Sequence, residues 1–374
     1  MMFQAVVAPL LLLIWLLSGT AAADTTGKLW QQFQDRLVSG DGRVIDVHTP
    51  RQHTTSEGQA YALFMALVMN DQARFDQLLR WTENNLAQGD LESHLPAWQW
   101  GRKADGSWSV VDANSASDAD LWLAYTLAEA GRLWCRPRLS KLADSLARRM
   151  LREESVDLPG LGLMLLPGPR GFALQPGRWR LNPSYLPLQL LRRFAQLQPD
   201  RGWEKILENT VMMLRTSRHG FVPDWIIYDA SADFLPDSKY RARGGYDAIR
   251  VYLWAGMLHE EEPYRPVLLS LLRPMADRLK QLGKPPRSID TETGISTDFG
   301  PAGFSAALMP LLVSLRYSEA LAQAEKHAVE VLEHPDYYYD QVLSLFALGW
   351  MEGYYRFGPR GQLLPKWNKS CMED

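Results

Sequence analysis

Three acidic residues stand at the openings of apolar segments far apart in the chain: Glu57, Asp118 and Asp247. Carboxyl groups held in different protonation states can share the work of cleaving a bond placed between them. One gives a proton to the leaving oxygen and the other takes a proton from an attacking water. Each residue also has a plainer reading. Thr54 and Glu57 have the spacing of a capping box, which satisfies free N–H groups at a helix start. Ser117 and Asp120 repeat that spacing, so Asp120 reads as a cap, whereas Asp118 inside the same box is not needed for capping. Asp247 lies three residues before Arg250, a helical spacing that allows an ion pair. On an open surface such a pair is worth little. In a cleft the same guanidinium favours the carboxylate form that a general base needs.

Aromatic residues accompany these segments. Residues 95–108 hold Trp98, Trp100 and Trp108, and Trp122, Trp179, Trp225 and Tyr246 follow. Flat aromatic faces suit the C–H faces of a sugar ring while polar groups meet its hydroxyls at the edge. With 14 Trp in the chain, many must be core; for Trp122, four residues past Asp118, core and cleft readings are both open. Other chemistries lack support. The 7 His are scattered without a metal-ligand spacing, and the 2 cysteines, Cys135 and Cys371, are too few for a four-ligand zinc site, so neither metal nor cofactor is expected. Serine-hydrolase elbows, phosphate loops and dinucleotide fingerprints are missing from the sequence. A formal charge of -3 gives no electrostatic reason to bind nucleic acid.

The elements that must position these residues are helical. Apolar segments open at Glu57, Asp118, Tyr185, Asp247 and Phe304, roughly 60 residues apart, and residues 337–354 would make a sixth. Amphipathic stretches lie between them at 72–87, 139–152, 202–215, 265–281 and 319–332. Buried helices alternating with half-exposed ones predict an all-α toroid of about six inner and six outer helices. Consecutive inner helices would then run parallel, and their N-termini would open on one rim, where distant acids become neighbours. No Gly/Ser-rich or Pro-rich linker interrupts the series, so residues 24–374 read as one domain, with 158–183 as a long rim loop. Residues 1–23 carry no charged side chain, and their short apolar run ends in Ala21-Ala22-Ala23, which reads as a signal peptide and predicts a periplasmic or secreted protein.

Taken together, Ala116-Ser117-Asp118-Ala119-Asp120-Leu121-Trp122 and its continuation to Trp134, with the segments around Glu57-Gly-Gln-Ala-Tyr61, Pro96-Ala-Trp-Gln-Trp-Gly101, Asn182-Pro-Ser-Tyr185 and Tyr246-Asp-Ala-Ile-Arg250, resemble glycoside hydrolase family 8. The likeness extends from about Trp30 to Trp367 and includes members that accompany bacterial cellulose synthase. Leu123 and Thr126 depart conservatively from the usual signature. The resemblance implies an (α/α)6 barrel and inverting, endo-acting hydrolysis of β-1,4-glucan. It implies Glu57 as proton donor and Asp247 as general base. Asp118 is the signature aspartate, named the nucleophile in pattern descriptions; inversion forms no covalent intermediate, so gripping the distorted sugar suits it better. The expected substrate contacts are Trp98, Trp100, Asn114, Tyr185, Trp225, Tyr246 and Arg250. The implied partners are a β-1,4-glucan chain and the cellulose synthase export machinery. Two alternatives remain open at this level: a non-catalytic glucan-binding protein with the same aromatic cleft, and a hydrolase of the family acting on chitosan or xylan.

Overall fold

The computed structural model describes residues 24–367, so the leader-like segment and Cys371 lie outside the described residues. Among these residues the chain forms twelve α-helices: α1 (Thr25–Leu37), α2 (Ser56–Val68), α3 (Gln72–Leu86), α4 (Ser117–Leu133), α5 (Pro137–Glu153), α6 (Leu188–Leu197), α7 (Trp203–Arg215), α8 (Ile249–Gly256), α9 (Arg265–Leu282), α10 (Ala302–Leu315), α11 (Ser318–Ala328) and α12 (Tyr338–Met351). The even-numbered helices are buried along most of their length, except α6, which buries five of its ten residues. In α2 only Glu57 among thirteen residues is not buried. The odd-numbered helices bury a single stripe, as in α5, where Leu139, Leu142, Ala143, Leu146, Ala147 and Met150 recur at spacings of three and four.

Inner helices pack in a closed ring: α2 on α4, α4 on α6, α6 on α8, α8 on α10, α10 on α12, and α12 back on α2. Each outer helix lies against an inner one, α3 on α2, α5 on α4, α7 on α6, α9 on α8, α11 on α10 and α1 on α12. This is the (α/α)6 toroid. Its centre is filled by aromatic rings: Trp122 meets Phe64 at 5.0 Å, Phe346 at 4.9 Å and Trp254 at 5.1 Å between centroids. Trp122 is wholly buried, so the core reading holds for it.

The connections are unequal, and that inequality makes a working face. Inner helices pass to outer ones through short turns such as residues 69–71 and 134–136, whereas the connections that lead back to the next inner helix are long and carry short antiparallel strands, except between α11 and α12, where a 3-10 turn at Val329–Glu333 suffices. Strands Arg178–Leu181 and Ile226–Asp229 pair, from Arg178 opposite Asp229 to Leu181 opposite Ile226, and so join two of these connections. Long connections thus collect at the N-terminal ends of the inner helices.

Several sequence expectations need correction. Residues 158–183 are not a plain loop, since Gly162–Leu165, Ala173–Gln175 and Arg178–Leu181 are strands. The inner helix expected from Tyr185 starts at Leu188, after a 3-10 turn at Pro183–Tyr185, because Pro187 lacks the N–H that a helix interior would use. Helix α1 belongs to none of the stretches singled out above. The capping boxes also fail. The cap of α2 is Thr55, whose hydroxyl accepts from Gly58 N at 3.1 Å, while the Thr54 hydroxyl bonds Arg43 and the Val44 carbonyl. The start of α4 has no side-chain cap. No helix among the described residues is long and apolar enough to cross a membrane.

Candidate active site

Three inner helices deliver the acids. Glu57 sits in the first turn of α2, Asp118 in the first turn of α4, and Asp247 two residues before α8. All three carboxyl groups meet the guanidinium of Arg250, on the first turn of α8. Nη1 reaches Glu57 Oε2 and lies 3.1 Å from Asp118 Oδ2, and Nη2 lies 3.0 Å from Asp247 Oδ1. Arg250 also donates to the Tyr61 hydroxyl at 3.2 Å and to Ser184 Oγ at 2.9 Å, and its cationic carbon stands 5.5 Å from the Tyr185 ring centroid. Arg250 is 2 % exposed, so this charge is held almost entirely by the protein. The Asp247–Arg250 pair is therefore no surface pair.

Asp224 was not anticipated by the sequence reading, and it fixes where Asp247 stands. Its Oδ1 accepts from the backbone N–H groups of Gly245 at 2.8 Å, Asp247 at 3.1 Å and Ala248 at 2.8 Å. A single oxygen thus gathers the turn that leads into α8. Tyr61, Ser184 and Tyr338 are further additions; the Tyr338 hydroxyl donates to Glu57 Oε1 at 3.3 Å. Asp224 is 23 residues from Asp247 in sequence, and no helical or strand periodicity relates the two.

One cation faces three carboxyl groups, with Asp224 close behind, so full ionisation would leave a buried excess of negative charge. Proton retention relieves it. Burial raises the Glu57 carboxyl above its usual range, against the opposing pull of Arg250, and Asp247 adds to the rise. Burial pushes Asp118 up to about 7, again opposed by Arg250. Burial and then the nearby Asp247 carry Asp224 up to about 6. A site of this kind keeps a proton available at neutral pH beside acids drawn toward a cation. That is the requirement of acid–base cleavage.

The family model for glycosyl hydrolases family 8 matches residues 2–353. The chain belongs to that family. It is 44% identical over 362 residues to an endoglucanase from Salmonella typhi, covering 96% of each protein. To an endoglucanase from Xanthomonas axonopodis pv. citri it is 48% identical over 344 residues, covering 91% of this chain and 89% of the relative. The solved endo-1,4-D-glucanase from Vibrio fischeri ES114 superposes with a TM-score of 0.88 at 45% identity, covering 91% of this chain and 99% of that one.

In this family 8 chain the remaining expected contacts fall into two groups. Tyr185, Trp225 and Tyr246 gather beside Arg250. Tyr185 lies under the guanidinium and 6.1 Å from Trp225, which stacks on Phe172 at 6.0 Å and on Tyr240 at 5.4 Å. Tyr246 precedes the Asp247 carboxylate, and its carbonyl accepts from Tyr339. It borders two cavities. The first, of about 900 Å³, is lined by Asp224, Trp225, Tyr240 and Arg243; the second, of about 450 Å³, by His48, Tyr337, Tyr338 and Asp340. Trp98, Trp100 and Asn114 belong to the connection between α3 and α4. Ser56 N donates to the Trp98 carbonyl at 3.0 Å, which ties this connection to the start of α2. The Trp100 ring stacks on Trp108 at 5.4 Å with Arg43 over both, so it belongs to a rim cluster rather than to the Arg250 hub. The Asn114 side chain is engaged with Arg170, donating to its carbonyl at 3.0 Å.

Proposed function

We propose that this protein is an endo-acting, inverting β-1,4-glucanase in which Glu57 is the acid and Asp247 the base. The observation that carries this reading is that Glu57, Asp118 and Asp247, from three separate helices, share one buried guanidinium, with Tyr246, the neighbour of Asp247, bordering two cavities. A glucan chain lying along both cavities would pass Tyr246, next to Asp247, in mid-chain, which suits cleavage inside a polymer. Both relatives described above are named endoglucanases.

In the proposed reaction the raised Glu57 carboxyl gives its proton to the glycosidic oxygen, so that the leaving chain departs as an alcohol. Asp247, seated by the three N–H bonds to Asp224, accepts a proton from a water that attacks the anomeric carbon from the opposite face. An inverting pair needs its carboxyls roughly 6.5–9.5 Å apart to admit that water. Asp118, almost fully buried, bonds the sugar beside the scissile link and, through Arg250, senses the charge on the other two acids. The leader-like residues 1–23 and the resemblance to cellulose-associated members support export and work on a glucan strand during bacterial cellulose synthesis.

The test is hydrolysis of soluble carboxymethylcellulose. Viscosity should fall well before reducing ends accumulate, and Glu57→Gln should do neither. Reducing ends that appear without loss of viscosity would remove the endo reading, and an unaffected variant would remove the assignment of Glu57. Deletion of the gene with complementation by wild type or Glu57→Gln tests the cellulose role; equal cellulose output in all strains would refute it.

A further inference from the structure

The two cavities that meet at Tyr246 differ in charge, and the reaction above makes no use of that difference. The larger is lined by three cations, Lys239, Arg241 and Arg243, against two acids, Asp224 and Asp290. The smaller is lined by three acids, Asp46, Glu330 and Asp340, together with His48, His327 and His334, and by no Lys or Arg. Screening at physiological salt confines such a difference to groups within about 8 Å, so it acts on whatever lies inside each cavity rather than on the whole molecule.

A fixed turn presents the cations. Asp237 is wholly buried and paired with Arg180. Its Oδ1 accepts from the N–H groups of Lys239 at 2.7 Å and Tyr240 at 3.2 Å, and a bridge to Arg241 closes the turn. The turn sets the Tyr240 ring on Trp225, 5.4 Å between centroids, with the Lys239 ammonium 4.8 Å from the Tyr240 ring centre. Arg243 donates from Nε to Ser288 Oγ at 2.6 Å. All three cationic residues are exposed, and the ion pairs nearby, Arg180 with Asp237 and Arg287 with Asp298, leave them out. The two acids of the cavity are engaged elsewhere. Asp224 Oδ1 holds the turn into α8, and Asp290 Oδ1 accepts from the N–H groups of Glu292 at 3.0 Å and Thr293 at 2.8 Å.

A sugar ring lying on the Trp225 and Tyr240 faces turns its hydroxyls toward the edge of the rings, where these cations stand. Neutral hydroxyls need no unpaired cation. A carboxylate or phosphate carried on one of them would form charge-assisted bonds with Lys or Arg. We propose that the larger cavity accepts β-glucan units bearing an acidic substituent, with Lys239 and Arg241 as the specificity-determining residues, and that the smaller, acid-lined cavity turns such units away. This inference rests on the glucanase reading above and names a substituted class of its substrate.

The test compares carboxymethylcellulose with the uncharged polymer hydroxyethylcellulose at low salt and pH 7. Lys239→Gln with Arg241→Asn removes both charges, and Asn suits the left-handed φ of 61° at residue 241. Lys239→Glu with Arg241→Asp reverses them. The ratio of kcat/KM on carboxymethylcellulose to that on hydroxyethylcellulose should fall by about threefold or more in the neutral variant and by about tenfold or more in the reversed one. A merely structural role would move both polymers together and leave the ratio alone. A second measurement needs only the wild type and keeps the test decisive if the variants fold poorly. Mass spectrometry of its carboxymethylcellulose products should find carboxymethyl groups enriched on sugars beside one kind of new chain end and depleted beside the other. A ratio unchanged in both variants, or carboxymethyl groups spread evenly over both kinds of end, would overturn the proposal. A wild type that cut neither polymer would remove the glucanase reading itself.

Discussion

The two ends of helix α4 each bury a carboxyl group, and they treat it in opposite ways. At the far end Glu129, wholly buried, is held by two guanidinium groups: Arg193 Nε at 2.7 Å on Oε1 and Arg132 Nε at 2.9 Å on Oε2, with Leu363 N–H adding a third bond at 2.9 Å. At the rim Asp118 shares its single cation with Glu57 and Asp247. One acid with two cations is an over-compensated site, and its role is to fasten the C-terminal strand residues Leu363–Pro365 to the barrel wall. Three acids with one cation cannot all ionise at low cost, and such a site holds protons that it can give away. The balance of charge, rather than burial, separates a structural carboxylate from a reactive one.

The largest effect should come from breaking the rim. Glu57→Gln and Asp247→Asn each remove a proton-transfer group with little change in volume, and kcat should fall by about 10²–10⁴-fold while oligosaccharide binding, read by calorimetry, stays measurable. Loss of binding with little loss of kcat would assign these residues to affinity instead. Glu129→Ala is the counterpart. Removing one partner of a buried charge network should cost about 3 kcal/mol in chemical denaturation, with kcat at 25 °C unchanged within twofold. A variant that kept its stability and lost turnover would dissolve the comparison.

A pH experiment sharpens it. The Asp118 carboxyl rises on folding from 3.8 to about 7. The folded protein thus holds a proton that the unfolded chain gives up, and this contribution to stability is full below pH 4 and lost as pH rises toward 7. Asp118→Asn should remove that part of the slope from a plot of stability against pH, and an unchanged slope would place the titration elsewhere. The smallest effect is expected outside the charge balance. Trp225→Ala should raise KM five- to thirtyfold, equivalent to about 1–2 kcal/mol of ring contact, and leave kcat within twofold. A larger fall in kcat would mean that Trp225 aligns the reacting bond.

Much of this architecture was legible in the sequence, for physical reasons. An inner helix such as α10 is apolar on all sides and an outer one such as α5 on a single stripe, so the two kinds announce themselves by period and composition. Helix α1 escaped notice because it lies directly after the leader-like segment and its buried stripe, Leu29, Trp30, Phe33 and Leu37, is narrow. The three-residue spacing of Asp247 and Arg250, across the turn that enters α8, exposed their pairing. The links from Arg250 to Glu57 and Asp118 span 193 and 132 residues and follow only once the ring closes. Asp224 works through backbone N–H groups, which leave no mark on side-chain pattern. Asp120 shows the opposite failure, because its cap-like spacing suggested a helix cap where the structure has a wholly buried carboxyl and no side-chain cap.

The measurement closest to the central assignment is the anomeric configuration of the first product, followed by proton NMR on a cellooligosaccharide within the first seconds to minutes, before mutarotation. An acid at Glu57 and a base at Asp247 acting across a water predict that the α-anomer appears first and the β-anomer only as mutarotation proceeds. Initial β-anomer would mean that a carboxylate attacked the sugar directly, and would contradict the roles given to both residues.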